Sequence, residues 1–404
     1  MKKLPKKIYN TIEKTYRKAR YVKNPTCYFY DLGAVTNNIN VLRDNMPEQI
    51  DLYYAMKANN NIDIMKCVFD NPYCYGVEIA SSGELLQALK YRSSDRIIFT
   101  GPGKTDYELE QAVINKIKFI NVESVVEAIR VNQYAIKHNI SNVDVLVRIN
   151  LNYSITDATE HMTGCSTKMG IDENESIEAI KYISDNLERI TVRGIHVFAA
   201  SGVMNYDSLI KSNEYIFKLV HKIEKEACEI DSIDFGGGLG IDYTSQNRYF
   251  DVKKYGIKLA KLIEKYGFEN KRILMELGTY IVGNAGYYTA KIIDIKKIKG
   301  KKHIIVAGGV NHMGLPLEMR RKHPVSVVKM NEKKLYDKQP FVFKERVDIS
   351  GPLCMVSDKL CWNSFVDEAE IGDIMVFLQA GAYCYGEGMH KFLSHFLPDE
   401  ISIL

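Results

Sequence analysis

The chain has 404 residues, 46% of them apolar and 26% charged, which is too long for one small core and ordinary for a globular protein of two or three domains. Its 54 Lys and Arg stand against 50 Asp and Glu, and the net charge of +4 argues against nucleic acid as a partner. The eight cysteines (27, 67, 74, 165, 228, 354, 361 and 384) form neither CxxC pairs nor a framework, which excludes zinc and suits a reducing cytoplasm.

The N-terminal MKKLPKKIYN carries charge but lacks the apolar core of a signal peptide. No run approaches about 18 apolar residues, so no membrane span is expected. Cys27–Tyr30 is a short strand that precedes the main pattern and suits the sheet of the strand-rich C-terminal region. Eight strands then follow: Leu52–Met56, Tyr75–Ala80, Arg96–Thr100, Phe119–Val122, Val143–Asn150, Thr191–Phe198, Ser232–Phe235 and Arg272–Glu276. Amphipathic stretches lie between most of them: Glu84–Tyr91, Asp106–Asn115, Ser124–His138, Ser176–Leu187, Ser208–Ala227 and Val252–Tyr266. Eight strands alternating with helices predict parallel pairing and a closed (β/α)8 barrel, an α/β architecture. After Gly278 the pattern turns to strands joined by loops: Tyr287–Ile298, His303–Ala307, Val325–Lys329, Phe341–Ile349, Asp373–Gln379 and Glu400–Ile403. This predicts a C-terminal, mostly antiparallel β domain. The expected divisions are an N-terminal segment 1–45, partly packed with the β domain, a barrel 46–280 and a β domain 281–404. The basic cluster Lys296, Lys297, Lys299, Lys301 and Lys302 reads as solvated turn or edge residues.

Chemistry in such a barrel sits at the C-terminal ends of its strands, and the unusual residues fall there. YYAMKANNN ends the first barrel strand on Lys57. Arg148 and Asn150 close the fifth. His196, Phe198 and Ser201 follow the sixth, and His196 itself reads as a core histidine. DFGGGLG, Asp234 to Gly240, follows the seventh, and Glu276 ends the eighth. Gly236, Gly237 and Gly238 let backbone N–H groups approach an anion, although a bare turn needs the same residues. A lysine, a phosphate-type loop and a carboxylate around one mouth match what pyridoxal phosphate requires.

The segments YYAMKAN, GVEIASSGEL, GPGK, DFGGGLG, MELGTY, SGPLC and GAYCYGEG occur in an order that spans nearly the whole chain. They resemble those of the fold-type III pyridoxal phosphate decarboxylases, the group of ornithine, arginine and diaminopimelate decarboxylases. The resemblance implies an alanine-racemase-like barrel plus β domain, pyridoxal 5'-phosphate as cofactor and a homodimer with shared active sites. Lys57 is similar to the Schiff-base lysine of the family. Ser201, Gly236, Gly237, Gly238 and Tyr383 resemble its phosphate ligands, and Arg148 and Gly278 lie among the cofactor-binding positions. Glu276 resembles the acid that keeps the pyridine nitrogen protonated. Cys354 resembles the catalytic cysteine supplied across the dimer interface, and Asp358 matches a neighbouring family position.

Three departures bear on the substrate. Phe198 stands where the family has a histidine stacked on the cofactor ring. Thr279, in Glu276-Leu277-Gly278-Thr279, stands where the family has an arginine, and so lacks its bidentate contact. Arg148, Lys104 and His312 are candidate replacement cations. Met355 follows Cys354 where free-diamine enzymes carry an acid, and it cannot pair with an ammonium. These features, with IIFTGPGKTDYELE and GMHKFLSHFLPDEISI, resemble the branch acting on conjugated amino acids. That branch includes citryl-diamino acid decarboxylases of siderophore synthesis and an enzyme acting on glutamate tethered to a carrier protein. Met355, Asp358 and His312 are therefore expected at the substrate. The basic run Arg320, Arg321, Lys322 and His323 is expected either to meet citrate carboxylates or a carrier arm, or to be an exposed loop. A decarboxylase of free diaminopimelate, ornithine or lysine is the alternative. A non-catalytic regulatory homologue is an alternative of another class.

Overall fold

The computed structural model describes residues 3–18, 21, 23–244 and 248–404. The chain forms two compact units. One comprises Thr36–Ile241 and Tyr249–Ile281. The other comprises the described residues of Met1–Val35, Asp242–Arg248 and Val282–Leu404.

The first unit is the barrel. Its strands are Ile50–Ala55, Gly76–Ile79, Ile97–Phe99, Phe119–Val122, Val143–Asn150, Ile190–His196, Ser232–Asp234 and Arg272–Leu277. Every neighbouring pair is parallel. The last strand pairs with the first, and the fourth pairs with the fifth, which closes the ring. Burial on both faces explains why these strands read as continuous apolar runs rather than alternating ones. Tyr53, Ile98, Phe119, Leu146 and Leu274 pack together as a buried cluster. Tyr53 lies opposite Gly76, where a Cβ would stand 2.5 Å from its ring.

The helices begin at side-chain caps. Ser81, Thr105 and Ser124 accept backbone N–H groups of Glu84, Glu108 and Glu127, and Thr105 and Glu108 form a full capping box. Asp172 and Asn205 do the same for the helices at Glu173–Asn186 and Tyr206–Glu226. The asparagines of YYAMKANNN have this task as well. Lys57 sits in a single 3-10 turn, Met56–Ala58, and Asn61 accepts the N–H groups of Asp63 and Ile64 to start a helix at Ile62–Asp70. That helix, Lys6–Tyr16 and Leu32–Asn45 are additional to the expected helices.

The second unit is an eight-stranded, mostly antiparallel sheet. Thr26–Asp31 pairs antiparallel with Gly286–Ile298 and parallel with Asp399–Ile403. The helix Lys6–Tyr16 lays Ile8, Ile12 and Tyr16 against Phe29, Val328 and Val376. One long strand, Lys359–Glu370, is additional to the expectation. The boundary near residue 45 moves to Val35 because Asn38 donates to the Ile281 carbonyl at 2.8 Å and Asn40 accepts from Asn71 at 3.2 Å, inside the barrel unit.

The helix Val252–Tyr266 crosses the chain at Asn45 through Gly256, where a Cβ would lie 1.7 Å from the Asn45 carbonyl oxygen. Gly256→Ala would gain up to about 1 kcal/mol of helix propensity, but overpacking against backbone costs about 1–3 kcal/mol. The expected outcome is a lower Tm with kcat per folded molecule unchanged, read by thermal melts and active-fraction assays.

Candidate active site

Parallel pairing puts the ends of the barrel strands side by side. Arg148 and Asp234 are both in register with His196. Glu276 is in register with Tyr53, four residues before Lys57. The side chains of His196, Asp234 and Glu276 come within 4.8 Å of one another and all are buried. Neither His196 ring nitrogen has a hydrogen-bond partner among the described residues, and Nε2 stands 3.3 Å from Glu276 Oε2. His196 is thus a core histidine by burial, but one that faces the candidate acid. Glu276 also accepts from Thr100 Oγ1 at 3.3 Å, and Asn121 donates to that same hydroxyl at 2.8 Å.

The electrostatics of this cluster divide its protons. Burial, and then the charge of Glu276, push Asp234 well above the usual carboxylate range. Burial works against Glu276 too, but His196, Lys57 and a hydrogen bond to Asp234 outweigh it and hold Glu276 low. Burial also lowers His196, against the opposing pull of Glu276. The anion of Glu276 therefore leans on the Asp234 proton and the Lys57 charge. Such a carboxylate is what a protonated pyridine nitrogen needs beside it.

Lys57 Nζ lies 2.7 and 2.8 Å from the two oxygens of Glu78. Glu78 is fully buried, and burial pushes its carboxyl up to about 8 against the pull of Lys57. The turn that carries Lys57 packs on the end of the eighth strand. A Cβ at Gly278 would stand 2.6 Å from the Ala58 Cβ.

The glycine loop admits no side chains. Gly236 has φ +60, and a Cβ there would stand 2.4 Å from the Phe198 ring. At Gly237 it would lie 2.2 Å from the Glu276 carbonyl oxygen, and at Gly238 (φ +103) 2.7 Å from that of Ala200. The Gly236 N–H is already given to Asp234 Oδ1 at 2.8 Å. Ser201 is half-buried and its carbonyl accepts from Thr159.

Several expected residues have internal partners. Arg148 is buried and pairs with Glu123 at 2.6 Å. Lys104 is buried against Glu127 and the carbonyls of Gly101 and Asn121. Neither leaves a free cation to replace an arginine at Thr279. His312, in the β unit, is 2% exposed, and its ring nitrogens meet Tyr288 Oη at 3.1 Å and the Phe396 carbonyl at 2.8 Å. Burial lowers it to about 4, so it serves here as an uncharged staple. Asp358 is likewise buried, and accepts the N–H groups of Val310 at 2.8 Å and Leu353 at 2.7 Å. Through Leu353 it fixes the loop of Cys354 and Met355. Cys354 is exposed and Met355 half-buried. Tyr383 holds a left-handed backbone, φ +63, after the strand Ile374–Leu378. Sequence reasoning passed over Glu78, Glu123, Thr100 and Asn121. Register with the named strand ends was the signal that locates them.

A raised carboxyl binds protons more tightly in the folded state, so its contribution is complete below about pH 4.5 and is lost as pH rises through about 8. Glu78→Gln is expected to flatten the fall of Tm over that window in the cofactor-free protein. Parallel Tm-against-pH curves for the two proteins check this, and identical slopes refute it.

A family model described as pyridoxal-dependent decarboxylase, pyridoxal binding domain, matches residues 32–283. A 2-[(L-alanin-3-ylcarbamoyl)methyl]-2-hydroxybutanedioate decarboxylase of Staphylococcus aureus (strain NCTC 8325 / PS 47) is 30% identical over 380 residues, covering 94% of each chain. An L-glutamyl-[BtrI acyl-carrier protein] decarboxylase of Niallia circulans is 31% identical over 383 residues, 93% of this chain and 87% of that one. The crystal structure of a diaminopimelate decarboxylase from Methanocaldococcus jannaschii superposes with a TM-score of 0.85 at 25% identity, covering 97% of this chain and 88% of that one. The residues present fit pyridoxal phosphate: a glycine cradle that any Cβ would fill, a lysine at the mouth and a buried acid held ionised. Bound there, the cofactor supplies the electron sink for decarboxylation. The chain belongs to the pyridoxal-dependent decarboxylases and is a carboxy-lyase that uses pyridoxal 5'-phosphate on an amino acid or a conjugate of one.

Proposed function

We propose that the substrate is an amino acid whose distal amine is acylated, of the citryl-diamino acid kind, such as citryl-ornithine or citryl-diaminopropionate, in polycarboxylate siderophore synthesis. The observation that carries this reading is Met355. It follows Cys354 on the loop clamped by Asp358, where a free-diamine enzyme would present an acid. A thioether offers no partner to an ammonium, and an unpaired buried ammonium is costly. An amide at that place leaves nothing to neutralise. The Staphylococcus aureus relative, a decarboxylase of a carbamoylmethyl hydroxybutanedioate, supports the same chemistry, and the Niallia relative supports a conjugate in general.

In this reading Lys57 carries the cofactor, and Glu276 holds the proton at the pyridine nitrogen. Gly237, Gly238 and Ser201 of the barrel would hold the phosphate, and Tyr383 is a further expected ligand. The Phe198 ring, packed on Gly236, would offer the cofactor an apolar face without a hydrogen bond. Cys354, supplied across a homodimer, delivers the proton to Cα after CO2 leaves. The enzyme works in the cytoplasm, and a carrier protein is the partner if the conjugate is tethered. The second reading is a decarboxylase of free diaminopimelate, favoured by the Methanocaldococcus likeness.

Two measurements test the proposal. CO2 release by the pure holoenzyme is expected to show kcat/KM at least about tenfold higher for citryl-ornithine or citryl-diaminopropionate than for free ornithine, lysine or diaminopimelate, one tenfold step being about 1.4 kcal/mol of discrimination. The reverse order refutes the conjugate reading. Cys354→Ala is expected to lower kcat by at least about tenfold, within the range of positioned proton donors, with cofactor absorbance retained. An unchanged kcat removes Cys354 from the chemistry.

A further inference from the structure

The basic run Arg320 to His323 does not behave as one patch. Arg320 has a left-handed backbone, φ +48, and is exposed, as is Lys322. His323 turns inward, is buried, and is used up between the Leu378 carbonyl at 2.9 Å and Cys384 Sγ at 3.8 Å. Arg321 is half-buried and stands over the ring of Tyr243, its guanidinium carbon 4.4 Å from the centroid. Among the described residues no carboxylate lies within ion-pair reach of it. Tyr243 is fixed from two sides. Its ring meets His323 edge-on at 5.2 Å, and Gln379 donates to the neighbouring Asp242 carbonyl at 2.8 Å. Yet its hydroxyl is buried and has no hydrogen-bond partner among the described residues. Burial dominates the surroundings of that phenol; Arg321 acts on it by charge and by the near approach of its N–H groups, and Tyr383 acts by charge.

An arginine stacked on an aromatic ring keeps its N–H edges available while its face is covered. A buried hydroxyl without an acceptor is a costly arrangement that a bound acceptor relieves. Together they offer the guanidinium N–H groups and a phenolic O–H as donors, near Tyr383. We propose that Arg321 and Tyr243 form an oxyanion subsite of the β unit, Arg321 supplying the charge and Tyr243 a hydrogen bond. The shared chemistry is a carboxylate or phosphate oxygen pair facing a guanidinium fork. Its source is either the phosphate of the cofactor or a carboxylate of the substrate. The carboxylate source rests on the conjugate reading above; the phosphate source does not.

The test uses the full chain as Arg321→Gln, Arg321→Lys and Tyr243→Phe. Retention of pyridoxal phosphate by the holoenzyme is read by visible absorbance after equilibrium dialysis. Citrate binding to the holoenzyme is read by calorimetry. Arg321→Gln is expected to weaken one of the two constants by roughly 10- to 100-fold, the range for losing a charged hydrogen bond, and Tyr243→Phe to weaken the same constant less. Loss of cofactor assigns the phosphate; loss of citrate with cofactor retained assigns the carboxylate. If Arg321→Gln does not fold, Arg321→Lys, which keeps the charge but not the fork, is expected to show a smaller weakening of the same constant. Both constants within about twofold of the parent in the folded variant overturn the proposal. A parent that binds no citrate counts against the conjugate reading alone, and the dialysis arm still decides the subsite: unchanged retention then overturns it.

Discussion

A carboxylate buried at the end of a barrel strand is the constraint on which this site depends. Glu276 is taken out of water, yet its carboxyl is held low, and its proposed place beside the pyridine nitrogen would need it as an anion. Desolvation alone would protonate it. The fold answers by giving it a second acid, Asp234, whose carboxyl is pushed up and takes the proton in its place, and a buried histidine, His196, against its face. Thr100 adds a hydrogen bond, and its own hydroxyl is fixed by Asn121. None of these groups is near Glu276 in sequence. They are neighbours because eight parallel strands close into a ring and end together. The closed sheet is what turns scattered residues into one electrostatic unit.

A related division runs through the rest of the barrel mouth. Lys57 and Glu78 form a pair in which one partner stays near solvent and the other is fully buried. Arg148 and Glu123 form a pair in which both are buried, and Glu123 also receives the N–H groups of Gly101 and Gly170. The first pair has a mobile proton and an accessible amine. The second is saturated with hydrogen bonds and serves as scaffold. Breaking a buried, saturated pair costs more than its formation gains, which is why Arg148 is ill suited to leave Glu123 for a ligand.

The barrel strands were legible because burial on both faces leaves continuous apolar runs with turn residues between them. Lys359–Glu370 was not legible. Its run from Asn363 to Glu370 mixes charge and small residues, and its pairing with Phe341–Ser350 shifts register twice. The helix Lys6–Tyr16 was hidden by its lysines, although Ile8, Ile12 and Tyr16 lie one turn apart on its buried face. In the site, residue type and motif order singled out Lys57, Glu276 and the glycines as candidates, and the fold places them at the ends of barrel strands. Exposure was the missing information. His312 and Asp358 look like binding groups in sequence, but both are buried with their hydrogen bonds committed. A motif names a residue type; only packing tells whether its polar atoms are still available.

The capped helices around the barrel have a further effect. Six of them carry an acid in the first turn: Asp63, Glu84, Asp106 and Glu108, Glu127, Glu173 and Glu175, and Asp207. Each of these acids sits on the positive pole of its own helix. The collective field that a ring of helix N-termini would otherwise project from the mouth is thereby answered within the scaffold. An anionic substrate is not drawn in by the barrel as a whole. Its capture falls to individual side-chain cations, so a change of one such residue can redirect selectivity while the architecture stays as it is.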